Sequence, residues 1–125
     1  MMTGFIQVAI GGAIGSCLRY GVGLLALRAG GSGFPVGVLG VNILGSFLMG
    51  MAAVVLMQRG LGHLGPFLMT GVLGGFTTFS AFSLEAFSLW DDGQAGAAAA
   101  YVGLSVVASI AALTLGVWLA RGALA

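Results

Sequence analysis

Four long runs of apolar residues, separated by short breaks, make up almost the whole chain. They cover about residues 4–27, 35–57, 65–89 and 96–119. Each run is long enough for a transmembrane helix, which needs about 20 predominantly apolar residues. The strands of a membrane barrel would alternate apolar and polar residues over about 10 positions, and these runs are too long and too uniform for that. The pattern predicts an all-α membrane protein with four transmembrane helices in a single domain, residues 1–125.

Short polar or glycine-containing breaks separate the runs. They are RAGGSG (28–33), QRGLGH (58–63) and WDDGQ (90–94), which leave no room for an extramembrane domain. Pro35 and Pro66 lie near the starts of two runs, where a missing N–H does little harm to a helix. The uncharged start MMTGFIQVAI lacks the basic region of a cleaved signal peptide, so we expect the first run to remain part of the structure.

The composition supports this class and excludes several functions. Hydrophobic residues make up 59% of the chain and charged residues 6%, whereas soluble domains carry about 25% charged residues. A net charge of +1 is too small for the basic surface that nucleic-acid binding requires, so we expect no nucleic-acid partner. The sequence contains no Walker motif, no nucleophile paired with a general base, and no His/Cys cluster. We therefore do not expect an enzyme.

The arginines are almost evenly divided between the two sides of the predicted domain. If the N-terminus lies on side A, so do Arg59 and Arg121. Arg28 lies on side B, and Arg19 lies near the side-B end of the first run. Because the positive-charge bias that normally fixes orientation is nearly balanced, it predicts insertion in both orientations and hence an antiparallel, dual-topology homodimer. The alternative is a single orientation that wins by a small margin.

Most of the candidate residues lie in one half of the membrane, toward side B. Counting along the runs places the following residues in that half: Arg19, Asn42, Ser80, Phe82, Ser83, Glu85 and Tyr101. A chain that is polar in one leaflet cannot line a continuous path across the bilayer. Two copies related by an in-plane two-fold axis would place one polar half in each leaflet, as the inverted repeats of transporters do.

The third run carries a candidate break near the middle of the membrane. Its sequence GVLGGFTTFSAFSLE (71–85) places two glycines before Thr77 and Thr78. A broken backbone is tolerated in a membrane where it is buried in protein or lines a cavity, and unwound carbonyls can bind a cation there. The alternative is a packed kink with no bound ion.

Several side chains suit an anion pathway, and each also has an ordinary structural explanation. Phe79 and Phe82 are three residues apart and can present positive ring edges to an anion, or pack as core or lipid-facing residues. The amide of Asn42 offers two N–H donors, or makes an interhelical hydrogen bond worth about 1 kcal/mol. In the fourth run, Ser105 and Ser109 follow Tyr101 at four-residue steps. Serine hydroxyls can donate to an anion or return to the i−4 carbonyl.

Arg19 and Glu85 are costly at membrane depth, so they are expected to pair with each other or to line a vestibule. Donors and ring edges without a strong charge suit a small, strongly hydrated anion, because they must replace its lost water directly. The residues alone therefore predict a small-anion pathway with a central cation as an open possibility.

Three segments resemble the Fluc/CrcB family of fluoride channels. They are GGAIGSCLRY (11–20), GVLGVNILGSFLMG (37–50) and GGFTTFSAFSLE (74–85). The last is the most specific, although Ala81 stands where a hydroxyl residue is common in the family. The resemblance implies an antiparallel, dual-topology dimer with two pores, in which both subunits line each pore.

The resemblance also implies individual roles. Pore positions that contact or track fluoride would be Asn42, Thr78, Phe79, Ser80, Phe82, Ser83, Glu85, Tyr101 and Ser109. The backbone carbonyls of Gly74 and Thr77, two from each subunit, would hold a structural sodium ion on the dimer axis. Arg19 resembles the vestibule arginine of the family.

The function implied by this resemblance is passive fluoride export across the bacterial cytoplasmic (inner) membrane by a multi-pass protein. One alternative is a small multidrug-resistance type exporter, which needs an acid in its first helix, where this chain has Arg19 and no acid. Another alternative is a noncatalytic membrane subunit of a larger complex.

Overall fold

The predicted all-α architecture is confirmed in a computed structural model that describes residues 2–29 and 34–125. Three helices are continuous: α1 (Met2–Arg28), α2 (Val36–Gln58) and α5 (Ala95–Leu124). Between α2 and α5 lies a composite third span. Among the described residues, four helical stretches are suited by length and composition to crossing a membrane. Residues 30–33, part of the first predicted break, lie outside the described residues.

The third span changes helix type along its length. A short 3₁₀ turn (Gly62–Leu64) leads into a π-helix (Pro66–Leu73), followed by a single turn α3 (Gly74–Phe76) and, after a break, by α4 (Ser80–Asp91). A π-helix inside a span often marks a functional position, because its wider turn leaves backbone groups imperfectly paired.

The predicted break in the third span is present, and it follows the glycine pair. Thr77 adopts an extended backbone with φ −83° and ψ 159°, and helical geometry resumes at Ser80. Gly74 and Gly75 themselves stay helical. Gly75 serves close packing, because a Cβ there would lie 2.8 Å from the carbonyl oxygen of Gly12.

Glycines join α1 to the third span at backbone distance. A Cβ on Gly11 would overlap the carbonyl oxygen of Phe67, and one on Gly15 would overlap that of Val72. Since the contacted residue numbers rise together, the two elements run parallel. Without a hydrophobic force between helices in lipid, such close van der Waals contact between small residues is what holds them together.

A second glycine contact joins α2 to α5 in antiparallel order. A Cβ on Gly50 would overlap the carbonyl oxygen of Leu113, and one on Gly116 would overlap that of Phe47. The chain therefore consists of two tightly packed pairs, α1 with the third span and α2 with α5. Large apolar side chains such as Leu27 point outward, as expected for a surface in contact with lipid or another subunit.

Candidate functional site

The amide of Asn42 clamps the broken backbone of the third span. Its Nδ2 donates to the carbonyl oxygen of Thr78 at 2.9 Å, and its Oδ1 accepts from the N–H of Thr78 at 2.9 Å. A side-chain amide carries the same donor and acceptor as a peptide group, so it replaces both partners that Thr78 loses at the break. One N–H of Asn42 remains outside this clamp. Asn42 is thus a structural residue of the break with at most one donor to offer a ligand.

The two threonines of the break direct their hydroxyls to the flanking helices. Thr77 donates its Oγ1–H to the carbonyl oxygen of Leu73 at 2.9 Å, in the first half of the span. The Oγ1 of Thr78 accepts from the N–H of Ala81 at 3.2 Å. A threonine oxygen in this position satisfies a free N–H in the first turn of α4, as helix-capping residues do.

The break releases several carbonyls from their helical partners, among them the two predicted cation ligands. In a continuous α-helix, the carbonyl of Gly74 would accept from the N–H of Thr78, and that of Thr77 from the N–H of Ala81. Both N–H groups bond elsewhere, to Asn42 and to the Thr78 hydroxyl. The predicted cation ligands, Gly74 and Thr77, are therefore among the carbonyls that have lost their helical donors. Oxygen ligands of this kind suit a hard cation.

Side-chain metal chemistry has little support. The described ranges 2–29 and 34–125 contain no group of three His, Cys, Asp or Glu residues that could hold a metal ion.

An open groove of about 480 Å³ brings many of the predicted pore residues together. It is bounded by α2, the break and α5. Of the predicted residues, those lining it are Asn42, Gly74, Thr77, Thr78, Phe79, Phe82 and Ser109. Residues from three separate segments of the chain thus converge on one cavity beside the break.

Four aromatic rings form a chain that leads away from this groove. The rings of Phe79 and Phe82 have centroids 5.5 Å apart at 62°, and Phe82 lies 5.2 Å from Tyr101. Phe34 meets Tyr101 edge to face at 5.5 Å and 89°. Phe79 is 77% exposed, whereas Phe82 is 8% exposed and Tyr101 is fully buried. The ring of Phe79 therefore remains available to a ligand or a second subunit, while Phe82 also belongs to the core.

Two serine hydroxyls on α5 are buried beside the groove. Ser105 and Ser109 both line the groove, and within the described residues their Oγ atoms have no hydrogen-bond partner. The alternative of a bond to the i−4 carbonyl is realised on α5 by Thr114, which donates to Ile110 at 2.9 Å, but not by these serines. Buried polar groups normally have hydrogen-bond partners, so we expect water or a ligand to bind these two hydroxyls.

Arg19 and Glu85 line a second cavity, of about 660 Å³, between α1, α2 and α4. Glu85 accepts a hydrogen bond at Oε2 from the Tyr101 hydroxyl at 3.1 Å. Arg19 donates its Nε–H to the carbonyl oxygen of Gly75 at 3.2 Å. The two charged side chains thus have separate partners and share a cavity, which favours the vestibule interpretation over direct pairing.

Four of the predicted pore positions do not line the groove, namely Ser80, Ser83, Glu85 and Tyr101. Ser83 donates its hydroxyl to the carbonyl oxygen of Phe79 at 2.9 Å, the i−4 bond that is usual for serine in a membrane helix. Ser80 is exposed, with its Oγ 3.5 Å from the Oγ1 of Thr78. Both serines lie on the exposed side of α4, so their predicted role in a pore lined by two subunits stays a prediction.

The structure adds two features that the predicted site omitted. Ser105 is 6% exposed, and its four-residue spacing from Tyr101 and Ser109 was the available signal. The carbonyl of Gly75, held by Arg19, carried no sequence signal, because the two residues are 56 positions apart.

Comparison with known proteins identifies the family of the chain. Residues 6–117 match the family described as CrcB-like protein, camphor resistance (CrcB). A relative from Ruegeria sp. strain TM1040, named fluoride-specific ion channel FluC, is 62% identical over 125 residues, covering 99% of each chain. Relatives of the same name from Cereibacter sphaeroides and Paracoccus denitrificans are 55% and 54% identical, over 98% and 94% of each chain. The chain belongs to the CrcB family.

Proposed function

We propose that this protein is a fluoride-selective channel that lets fluoride leave the cell passively. The observation that carries the proposal is the groove beside the clamped break, which gathers an amide, two buried serine hydroxyls and an exposed aromatic ring. Its relatives are named fluoride-specific ion channels, and an ion channel is not an enzyme.

The chemistry of the groove suits a small anion. Fluoride gives up its hydration shell only where compact donors replace the lost water, and the remaining N–H of Asn42 and the hydroxyls of Ser105 and Ser109 are such donors. The edge of an aromatic ring carries the positive part of its quadrupole, so Phe79 adds a weak attraction without a bound charge. A weakly attractive path binds the ion and still releases it, which rapid conduction requires.

A second copy of the chain in the opposite orientation completes the pathway. The groove is open at the surface of one chain, and Thr78, Asn42 and their neighbours cannot face hydrocarbon without a large cost. A partner covering that side removes the cost and also covers the exposed ring of Phe79. In an antiparallel pair, each subunit contributes a polar half to the leaflet that the other leaves apolar, giving two pores.

The carbonyls of Gly74 and Thr77 fit a sodium ion on the axis of this dimer. The supporting observation is that both lose the N–H donors they would have in a continuous helix. Carbonyl dipoles at mid-membrane replace the hydration shell of a hard cation. Its positive charge would favour an anion nearby, and it would hold the two breaks together.

The site of action that we propose is the bacterial cytoplasmic membrane, consistent with four spans and bacterial relatives. The small multidrug-resistance type exporter gains no support, since α1 carries Arg19 and no acid.

The test is efflux from liposomes that contain only the purified protein. The liposomes are loaded with potassium fluoride, and a fluoride electrode measures the fluoride that appears outside. Fluoride should leave rapidly once valinomycin lets potassium follow and balance the charge. Liposomes loaded with potassium chloride and followed with a chloride electrode are the control, and they should retain their anion. Equal rates for both anions, or fluoride retention as in protein-free liposomes, would reject the proposal. Success with one purified polypeptide would also dismiss the larger-complex alternative.

A further inference from the structure

The middle of α1 lies directly beside the third span, at the turn that precedes the break. Its small residues allow this approach, since a Cβ on Gly75 would lie 2.8 Å from the carbonyl oxygen of Gly12 and 3.2 Å from the nitrogen of Ser16. One turn further along α1, half-buried Arg19 donates its Nε–H to the carbonyl oxygen of Gly75 at 3.2 Å. The contact joins residues 56 positions apart, at the level where the helix is interrupted.

This hydrogen bond replaces a partner that the break removes. In a continuous helix the carbonyl of Gly75 would accept from the N–H of Phe79, which lies beyond the extended Thr77. A hydrogen bond from a guanidinium is charge-assisted and stronger than a neutral one. The released carbonyls therefore have different fates: Gly75 is held by α1, whereas Gly74 and Thr77 border the groove.

We propose that Arg19 is a positioning residue for the break, in addition to bringing positive charge to the vestibule. Its Nε–H fixes the peptide group of Gly75 on the side of α1, and so keeps the adjacent carbonyl of Gly74 turned toward the groove. Asn42 holds the break from α2 and Arg19 holds it from α1, so the irregular backbone is fixed from both sides. The effect on flux rests on the proposed function, but the effect on the backbone does not.

The two roles of Arg19 are separated by the variants Arg19→Lys and Arg19→Met. Lysine keeps the cation in the vestibule, but its strongly hydrated ammonium lacks the planar fork that holds Nε–H toward the carbonyl. Methionine removes both the charge and the donor. Arg28→Met is the matched control, because Arg28 is exposed in the last turn of the same helix and its loss removes a charge without touching the break.

The first readout is hydrogen exchange in the purified protein without fluoride, followed on peptides that cover residues 74–83. Both Arg19 variants should raise exchange there by about tenfold or more, the effect expected from losing a charge-assisted hydrogen bond, while α2 and α5 keep their protection. Arg28→Met should leave residues 74–83 protected. If Arg19→Met does not yield folded protein, Arg19→Lys decides the question.

The second readout is fluoride efflux from liposomes at low and high salt. Salt screens the attraction between the vestibule charge and an anion, but it does not weaken a hydrogen bond to the backbone in the same way. Arg19→Lys should therefore lose flux at both salt concentrations, as Arg19→Met does. Wild-type exchange and wild-type flux in Arg19→Lys would overturn the positioning role and leave charge as the only function of Arg19. If the wild-type protein moved no fluoride, the proposed function would fall, and hydrogen exchange would still judge Arg19.

Discussion

Replacing Asn42 by aspartate separates the two functions of this amide. The carboxylate of Asn42→Asp can still accept a hydrogen bond from the N–H of Thr78. It has no N–H to donate to the carbonyl oxygen of Thr78, which lies 2.9 Å from Nδ2 of Asn42 in the wild type. Two oxygen atoms would then face each other across a half-buried contact. The substitution also places a negative charge on the proposed anion path.

The structural part of the effect has an estimable size. Removing one partner of a buried hydrogen bond costs about 1–3 kcal/mol, which lowers the population of the clamped break about 5- to 150-fold relative to competing conformations. Asn42→Leu, of similar volume, leaves both the N–H and the carbonyl of Thr78 without a partner and should cost more. The expected order of stability is wild type, then Asn42→Asp, then Asn42→Leu.

Two assays applied to the same preparations test this reasoning. Thermal unfolding in detergent gives the order of stability, and fluoride efflux from liposomes gives the function. Both variants should conduct far less than the wild type. If Asn42→Asp unfolds and conducts as the wild type does, the clamp is unimportant and this account of Asn42 is refuted. If Asn42→Asp is as stable as the wild type but silent, Asn42 acts only as a donor in the pore.

Three further predictions follow from the groove and from the packing. Phe79→Ile and Phe82→Ile should both reduce fluoride efflux strongly because they remove the ring quadrupole, and wild-type efflux in both variants would reject the role of ring edges. Phe82→Ile should also lower the unfolding temperature, because Phe82 is 8% exposed and packs in the core of a single chain. Gly15→Ala should lower the free energy of unfolding by about 1–3 kcal/mol, because its Cβ would overlap the carbonyl oxygen of Val72. Gly103→Ala is the control and should leave that free energy unchanged, because nothing lies within 4 Å of its Cβ; equal stability of the two variants would argue against the close contact. Ser105→Ala should fold normally and conduct less fluoride, and undiminished flux would show that its buried hydroxyl serves no ion.

The helices could be predicted from sequence because apolar length is a local property. The second run was expected at 35–57, and α2 spans Val36–Gln58. The break was only partly predictable. Glycine permits irregular backbone, but Gly75 is used for contact with α1, and the interruption falls where Asn42 can replace the lost hydrogen bonds. That partner lies 36 residues from Thr78, so no local pattern could locate it.

The candidate site shows the same division between local and distant information. Residue type and spacing were enough to single out Phe82 and Ser109, which do line the groove. Spacing alone could not show that the hydroxyl of Ser83 bonds to the carbonyl of Phe79, because the i−4 bond competes with an outward-facing hydroxyl on any membrane helix.

The central claim is that two inverted copies of this chain enclose the fluoride path. The most direct test is the accessibility of a single cysteine introduced at Ala125, after Cys17→Ser removes the native thiol, to a membrane-impermeant reagent in intact cells. Dual topology predicts that one fraction of the protein reacts in intact cells and the remainder reacts only after the membrane is permeabilised. Labelling of all molecules from one face alone would contradict the account.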